Sequence, residues 1–335
     1  HLIVKNENIK NENINEDTDI FSPYQQSLLN STSANANIQA ILENMDCRDG
    51  MKQLKENSVS LVLTDPPYFI DGMGEDWDTE KLNKRVKPGV ISSLPSGMKF
   101  SVEQGRELQK FLVPVADEWM RVIRPGGFCL VFSQTRLGHR TAITLEDAGF
   151  EIRDVLIWRY EGQAKAFSQD HFIRKRKISD EEKDRLLRKI DGRKTPQLKP
   201  QGEMIILAQA PREGTFVDNW DKWETGLIDV NNPIINASQF PGTVIPSKKP
   251  KERYGHMTAK PVDLLQHLIR IFSAPRALVL DSFAGSGSTG VAAILEGRDF
   301  IGYEIEVEMA TRAQERIKAT LSEWNYKKRT KPPLR

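Results

Sequence analysis

The sequence predicts an α/β fold: a doubly wound, Rossmann-like sheet, mostly parallel with one antiparallel strand, carrying an inserted recognition region. Three observations point there. Apolar runs of four to seven residues, bounded by Gly, Pro or Asp, recur along the chain as buried parallel strands do. Amphipathic helical patterns lie between them, and a glycine-rich turn joins one run to a following helix. With 335 residues, 39% of them hydrophobic, the chain can bury a substantial core and is too apolar to be disordered throughout.

Residues 5–19 (KNENIKNENINEDTD) are a near-repeat of Asn, Glu and Lys with almost nothing to bury, so 1–36 reads as a disordered polar tail. From residue 37 the alternation begins. Runs at 41–45 and 59–63 read as strands, followed by a long Gly-, Pro- and Lys-rich loop at 69–104 of the kind that serves as a lid or binding segment. A helical pattern at 105–123, a strand at 127–132, a helix at 137–148 and a strand at 152–158 come next. Residues 160–255 interrupt the rhythm: periodicity weakens, basic residues accumulate around a charged amphipathic helix at 179–190, and a hairpin-like strand returns to the sheet at 203–208. The pattern then resumes with a helix at 261–272, whose Val262, Leu265, Leu268, Ile269 and Phe272 share one stripe, and a strand at 277–280. A helix from about Ser288, a strand at 300–303, a helix at 307–321 with Ala310, Ala313, Ile317 and Leu321 on one face, and a basic tail at 326–335 complete the order.

The formal net charge of +2 excludes a uniformly basic coat protein and an acidic solvating chain, but the charge is unevenly spread. Residues 171–200 carry eleven basic side chains against five acidic ones, residues 326–335 five against none, and residues 1–20 two against five. A mildly acidic body with two basic segments suggests a polyanion-facing surface confined to one region. The two cysteines, Cys47 and Cys129, can build neither a disulfide framework nor a cysteine-based zinc site, and no metal is expected. No run approaches the roughly 18 apolar residues of a membrane span, and the polar N-terminal stretch lacks a signal-peptide core. The expectation is a soluble protein of a reducing compartment, the cytoplasm, with no membrane partner.

Asp65-Pro66-Pro67-Tyr68 follows the 59–63 run directly, which in an open α/β sheet puts it beyond a strand's carboxyl end, where ligands bind. The paired prolines hold the backbone extended and donor-free, so the Pro66 carbonyl is a fixed acceptor beside the Asp65 carboxylate and the Tyr68 ring. Two acceptors next to an aromatic plate suit a planar exocyclic amine; an Asp-Pro turn with a packed tyrosine is the plainer reading of these four residues alone. The second motif, Asp281-Ser-Phe-Ala-Gly285-Ser-Gly287-Ser-Thr-Gly290, stands between a strand and a helix, so its glycines let the backbone turn tightly and the helix start offers free N–H groups. It contains the GxGxxG spacing of dinucleotide enzymes. Yet the 45 residues after Gly290 are too few for the second half of such a fold in its usual order, and a smaller nucleoside ligand fits better. Glu304 ends the next strand, where an acid can take both ribose hydroxyls; without the glycine loop it would read as a solvated strand-end acid. The third segment, His256-Met-Thr258-Ala-Lys260-Pro261, leads into a helix that Thr258 could cap and Pro261 could open.

Together, and in this order, the three segments resemble the amino-methyltransferases of DNA, in the permuted subgroup where the catalytic motif precedes the cofactor motif. Further pieces agree: Asp46-Cys47 with Leu54 and Ser58-Val59 before the catalytic strand, Trp119, Arg121 and Arg124-Pro125-Gly126-Gly127 after it, and Gly149-Phe150 with Trp158 beyond. The likeness spans about 40–160 and 200–322. It implies a catalytic half at 37–159, a target-recognition region at 160–255 and a cofactor-binding half at 256–325. It also implies S-adenosylmethionine as cofactor, with Phe283, Ala284, Gly285, Ser286 and Gly287 holding its methionine part, Glu304 its ribose and Asp46 its adenine end. Asp281, Lys260 and Asp65 are the expected charge partners. Catalysis would fall to Asp65, Pro66, Pro67 and Tyr68: Asp65 and the Pro66 carbonyl accept the two amine hydrogens of a flipped-out adenine, Tyr68 stacks on the base, and the methyl group passes in line to N6.

Double-stranded DNA is the expected partner, met by Arg174, Lys175, Arg176, Lys177, Arg193 and Lys194, while a homodimer and a cognate restriction endonuclease are expected from the resemblance alone. Cytosine-N4 transfer is the alternative reaction, although Asp rather than Ser at the head of the tetrapeptide leans to adenine within the family. A catalytically silent nucleic-acid-binding member of the fold would have no need of an intact Asp65, Pro66 and Tyr68. An oxidoreductase rests on the glycine spacing alone. Carbon-5 cytosine transfer is disfavoured, because neither cysteine follows a proline.

Overall fold

The computed structural model describes residues 38–67, 102–164, 166–250 and 259–330. Its elements follow in chain order as β1 (Ala40–Asn44), α1 (Cys47–Met51), β2 (Val59–Thr64), α2 (Val102–Val122), β3 (Ile123–Ser133), α3 (Gly138–Asp147) and β4 (Glu151–Arg159). Then come α4 (Asp170–Arg174), α5 (Asp180–Lys189), β5 (Gly202–Gln209), α6 (Phe216–Trp223), β6 (Val244–Pro246), α7 (Val262–Phe272), β7 (Leu278–Asp281), α8 (Ser288–Leu295), β8 (Asp299–Glu304) and α9 (Val307–Thr330). The strands form one eight-stranded sheet in the order β1-β8-β7-β2-β3-β5-β4-β6. β5 runs antiparallel to both its neighbours, and every other pair is parallel.

The pleat explains the apolar runs. In β2, Leu61 and Leu63 go to one face and Val62 to the other; in β3, Phe128, Leu130 and Phe132 oppose Cys129 and Val131. Both faces are covered, so both sets of positions are mostly apolar, with the small Ser60 and Thr64 beside Val62 on the second face. α7, α8 and α9 pack on the first face, and α1, α2 and α3 on the second. α2 turns Leu108, Leu112, Val115, Trp119 and Val122 inward at helical spacing. Its Pro114 lies on the exposed side, where water can satisfy the carbonyl the missing N–H leaves free.

Several boundaries differ from the sequence reading. α2 begins at Val102, so the end of the expected 69–104 loop is helical, while residues 68–101 lie outside the described residues. Thr258 and His256 also lie outside them; the N-cap of α7 is Pro261, without a side-chain bond, and the helix starts at Val262. α7 buries more than the expected stripe, because the chain at 229–235 lies across it: the amides of Ile234 and Ile235 both donate to His267 Nδ1 at 3.2 Å, and that of Asp229 donates to the Ile271 carbonyl. Strand β6, three residues on the sheet edge, is too short to show a period. Helix α6 announces itself only through the Thr215–Asp218 capping box. α9 runs on into the segment read as a basic tail, and the 1–36 tail falls outside the described residues. No helix among the described residues is long and apolar enough to cross a membrane.

Candidate active site

β2 and β7 lie side by side and parallel, but the chain leaves β2 for β3 on one flank and leaves β7 for β8 on the other. Connections that diverge from adjacent strands open a crevice at their carboxyl ends. Asp65-Pro66-Pro67 begins there after Thr64, and Asp281 ends β7. The Thr64 hydroxyl donates to Asp281 Oδ1 at 2.7 Å and the Phe283 amide donates to the same oxygen at 3.1 Å, locking the two strand ends together. Asp281 is buried at 3% exposure, and burial pushes its carboxyl up to about 6, against the pull of its bonds to Thr289, Thr64 and Phe283.

The glycine loop is held from four sides. Gly285 and Gly287 have φ of +50° and +76°, the left-handed region that glycine enters without strain, and a Cβ on Gly287 would come within 3.2 Å of Ala313 Cβ on α9. The Gly285 amide donates to Glu304 Oε2 at 2.9 Å, and the Glu306 amide to Glu304 Oε1 at 2.9 Å. Burial raises the Glu304 carboxyl above its ordinary range. Arg316 Nη1 donates at 3.0 Å to both the Ser286 carbonyl and the Ser288 hydroxyl, and Trp119 Nε1 donates to the Ser282 hydroxyl at 2.8 Å. Phe283 packs its ring 5.8 Å from that of Phe111 on α2.

Asp46 stands at the same edge of the sheet, two residues past Asn44, whose backbone pairs with Glu304. Its carboxylate caps α1 and binds Arg48, which holds it below the usual carboxylate range. The predicted cofactor residues at 281–287 and 304 therefore come together, with Asp46 beside them and already engaged. They fit a nucleoside ligand with a polar tail. The two Glu304 oxygens take the amides of Gly285 and Glu306, with that of Ile305 also bonded to the carboxylate, which leaves lone-pair capacity for hydroxyls, and Gly285 and Gly287 put no side chain on the loop at their positions.

Lys260, expected as a cofactor partner, pairs with Asp65 and with an acid of β5. Its Nζ lies 2.6 Å from Asp65 Oδ2 and 3.0 Å from Glu203 Oε2, at 7% exposure. Burial disfavours its ammonium, but the two carboxylates outweigh that and raise its affinity for the proton above that of an ordinary lysine. The Phe132 and Trp158 ring centres lie 5.0 and 5.9 Å from Nζ, and the Tyr160 ring continues this wall 4.8 Å from Trp158. Glu203 and Tyr160 were not singled out in the sequence. For Glu203 the available signal was a lone acid at the head of an apolar strand. Tyr68 lies outside the described residues. Cys47 and Cys129 are both buried, and burial pushes the Cys47 thiol up to about 12 and raises that of Cys129 as well, so neither offers a ready thiolate.

Arg174, Lys175, Arg176, Lys177, Arg193 and Lys194 are exposed around α4 and α5, and none has an ion-pair partner among the described residues. The structure does not bring them into contact with the residues at the sheet edge.

Comparison with known proteins adds an independent line. The DNA methylase family model (N6_N4_Mtase) matches residues 59–315. The chain is 27% identical to the Type II methyltransferase M.HindIII of Haemophilus influenzae over 78% of this chain and 89% of that one. It is also 27% identical to M.MthZI of Methanothermobacter thermautotrophicus over 81% of this chain and 74% of that one. In fold it is similar to TTHA0409 of Thermus thermophilus, solved with S-adenosyl-L-methionine (TM-score 0.52, 19% identity, 84% of this chain and 93% of that one). It is equally similar to the cytosine-N4-specific PvuII DNA methyltransferase (TM-score 0.52, 16% identity, 87% of this chain and 96% of that one).

Proposed function

The chain belongs to the DNA methylase family, and on that premise we propose that it methylates N6 of a flipped-out adenine in double-stranded DNA, with S-adenosylmethionine as donor. The observation that carries this reading is the Asp65-Pro66-Pro67 turn at the end of β2, beside the glycine loop that ends β7. S-adenosylmethionine, when bound, supplies an electrophilic methyl group on a cationic sulfur. Phe283 to Gly287 would hold its amino-acid part and Glu304 its ribose hydroxyls, with Asp46 near the adenine end.

An exocyclic amine is a poor nucleophile because its lone pair is delocalised into the ring. Asp65 and the Pro66 carbonyl, each accepting one amine hydrogen, favour a tetrahedral nitrogen whose lone pair points at the methyl group. When the new C–N bond has formed, one amine proton must leave, and Asp65 is the group hydrogen-bonded to it. The base would have to leave the duplex to bring its amine to a turn at the end of β2. Pro67 keeps the turn rigid, and Tyr68 follows as the residue to stack on the base.

Adenine is favoured over cytosine by the Asp at the head of the tetrapeptide; fold does not decide, since the cytosine-N4-specific PvuII enzyme is equally similar. The exposed basic residues at 174–177 and 193–194 make residues 160–255 the best candidate for the DNA-facing region, between a catalytic half at 37–159 and a cofactor half at 256–325. By the family resemblance of its motifs the reading extends to a homodimer and a cognate endonuclease, acting in the cytoplasm.

Incubating the protein with DNA and methyl-labelled cofactor tests the reaction. Label on N6 of adenine is expected. Label on cytosine N4 would change the base, and no label from folded protein would remove the enzyme reading.

A further inference from the structure

Glu203 owes its place to the one antiparallel strand. Because β5 runs against β3 and β4, its first residues and not its last reach the edge where β2 ends, and Glu203 arrives beside Trp158 in register. There it meets a lysine that is almost fully enclosed. Lys260 is walled by the Phe132 and Trp158 rings and touches Asp65 on one side and Glu203 on the other.

A buried ammonium needs an anionic partner, and one carboxylate would neutralise it. A second adds repulsion between the two acids and another desolvation cost, so stability alone does not ask for it. What it does change is the charge of the set, from zero to −1. A lysine paired with Asp65 alone would draw off the carboxylate's acceptor strength; a lysine shared with Glu203 draws off less. Resting on the methyltransferase reading above, we infer that Glu203 is a positioning residue. By dividing the Lys260 ammonium with Asp65, it keeps the Asp65 carboxylate aligned and a strong acceptor for the amine hydrogen.

The test is Glu203→Gln, which keeps shape and one acceptor oxygen but removes the charge, measured by single-turnover methyl transfer at saturating cofactor and DNA. The rate is expected to fall about tenfold, less than the loss on removing a proton-accepting group outright. The dissociation constants for cofactor and DNA should stay within about threefold, and thermal stability should not fall. Glu203→Asp, which keeps the charge one methylene short, should recover part of the rate. A Gln variant that transfers at the wild-type rate overturns the inference, as does a loss found entirely in the dissociation constants. Should the Gln variant not fold, a folded Asp variant with an unchanged rate overturns it. Wild-type protein that transfers no methyl group to DNA removes the underlying reading and this inference with it, an outcome distinct from an active wild type beside an unaffected variant.

Discussion

The carboxyl edge of β2 and β7 and the segment from 160 to 200 treat charge in opposite ways. At the sheet edge Asp65, Lys260, Glu203, Asp281 and Glu304 are buried or half-buried, and each is engaged by a neighbour. In the other segment α5 buries no residue, its ion pairs Lys183–Asp180 and Arg185–Glu182 are local and exposed, and the cations at 174–177 have no ion-pair partner among the described residues. Surface pairs of that kind contribute little to stability. The difference teaches what each charge can be for: a fixed charge in a low-dielectric site orients a reacting group, while a solvated cation attracts a polyanion without fixing its position.

The sharpest way to break this comparison is to remove the charge at its centre. Asp65→Ala should lower methyl transfer by about a thousandfold, within the range for loss of a positioned acid–base or electrostatic group, with DNA affinity largely kept. Single-turnover kinetics beside a gel-shift titration would show it. Activity surviving the change would mean that the edge charges are structural and that the two regions do not divide the work.

The complementary change, alanine at Arg174, Lys175, Arg176 and Lys177 together, should leave transfer at saturating DNA unaltered and weaken binding alike for all sequences. If all four meet phosphates, the slope of log affinity against log salt should shrink by about 3 to 4. An unchanged slope would place the DNA-facing surface elsewhere.

The two regions also differed in how far the sequence revealed them. The strands at the sheet edge were legible because both faces are covered: the runs ending at Leu63 and Leu280 are almost wholly apolar, with Ser60 the one polar side chain in them, and the turns after them carry Pro and Gly for backbone reasons that hold in any context. The Phe283–Gly287 loop and Glu304 were found at their expected places for the same reason. The pairing of Lys260 with Asp65 was not legible, since it spans nearly two hundred residues and depends on strand order. Glu203 escaped for a related cause: the direction of β5 decides which end of the strand meets the site, and no local pattern encodes that. In the basic segment the charge was plain; beyond it, α6 and β6 were not, because such short elements carry too few buried positions to set a period.

A last and smaller change asks whether the buried charge at the edge is strained. Asp281 prefers its proton more in the folded state than in the unfolded chain, with its carboxyl pushed up from 3.8 to about 6. A raised acid contributes stability that is fully present below the unfolded value and is lost as pH rises through about 6. At neutral pH the native protein therefore carries the cost of an ionised carboxylate held away from water. Asp281→Asn keeps an oxygen for the Thr64 hydroxyl and the Phe283 amide and removes the titration, so it should stabilise the protein at pH 7 by roughly 1–3 kcal/mol. The advantage should shrink toward pH 4, as melting curves across that range would show. If the retained charge serves a cationic ligand, the same variant should bind S-adenosylmethionine about tenfold more weakly by calorimetry, a trade of ligand affinity against stability. Unchanged binding in a more stable variant would mean that Asp281 only fastens β7 to β2, and that the functional charge of the edge is confined to Asp65, Lys260 and Glu203.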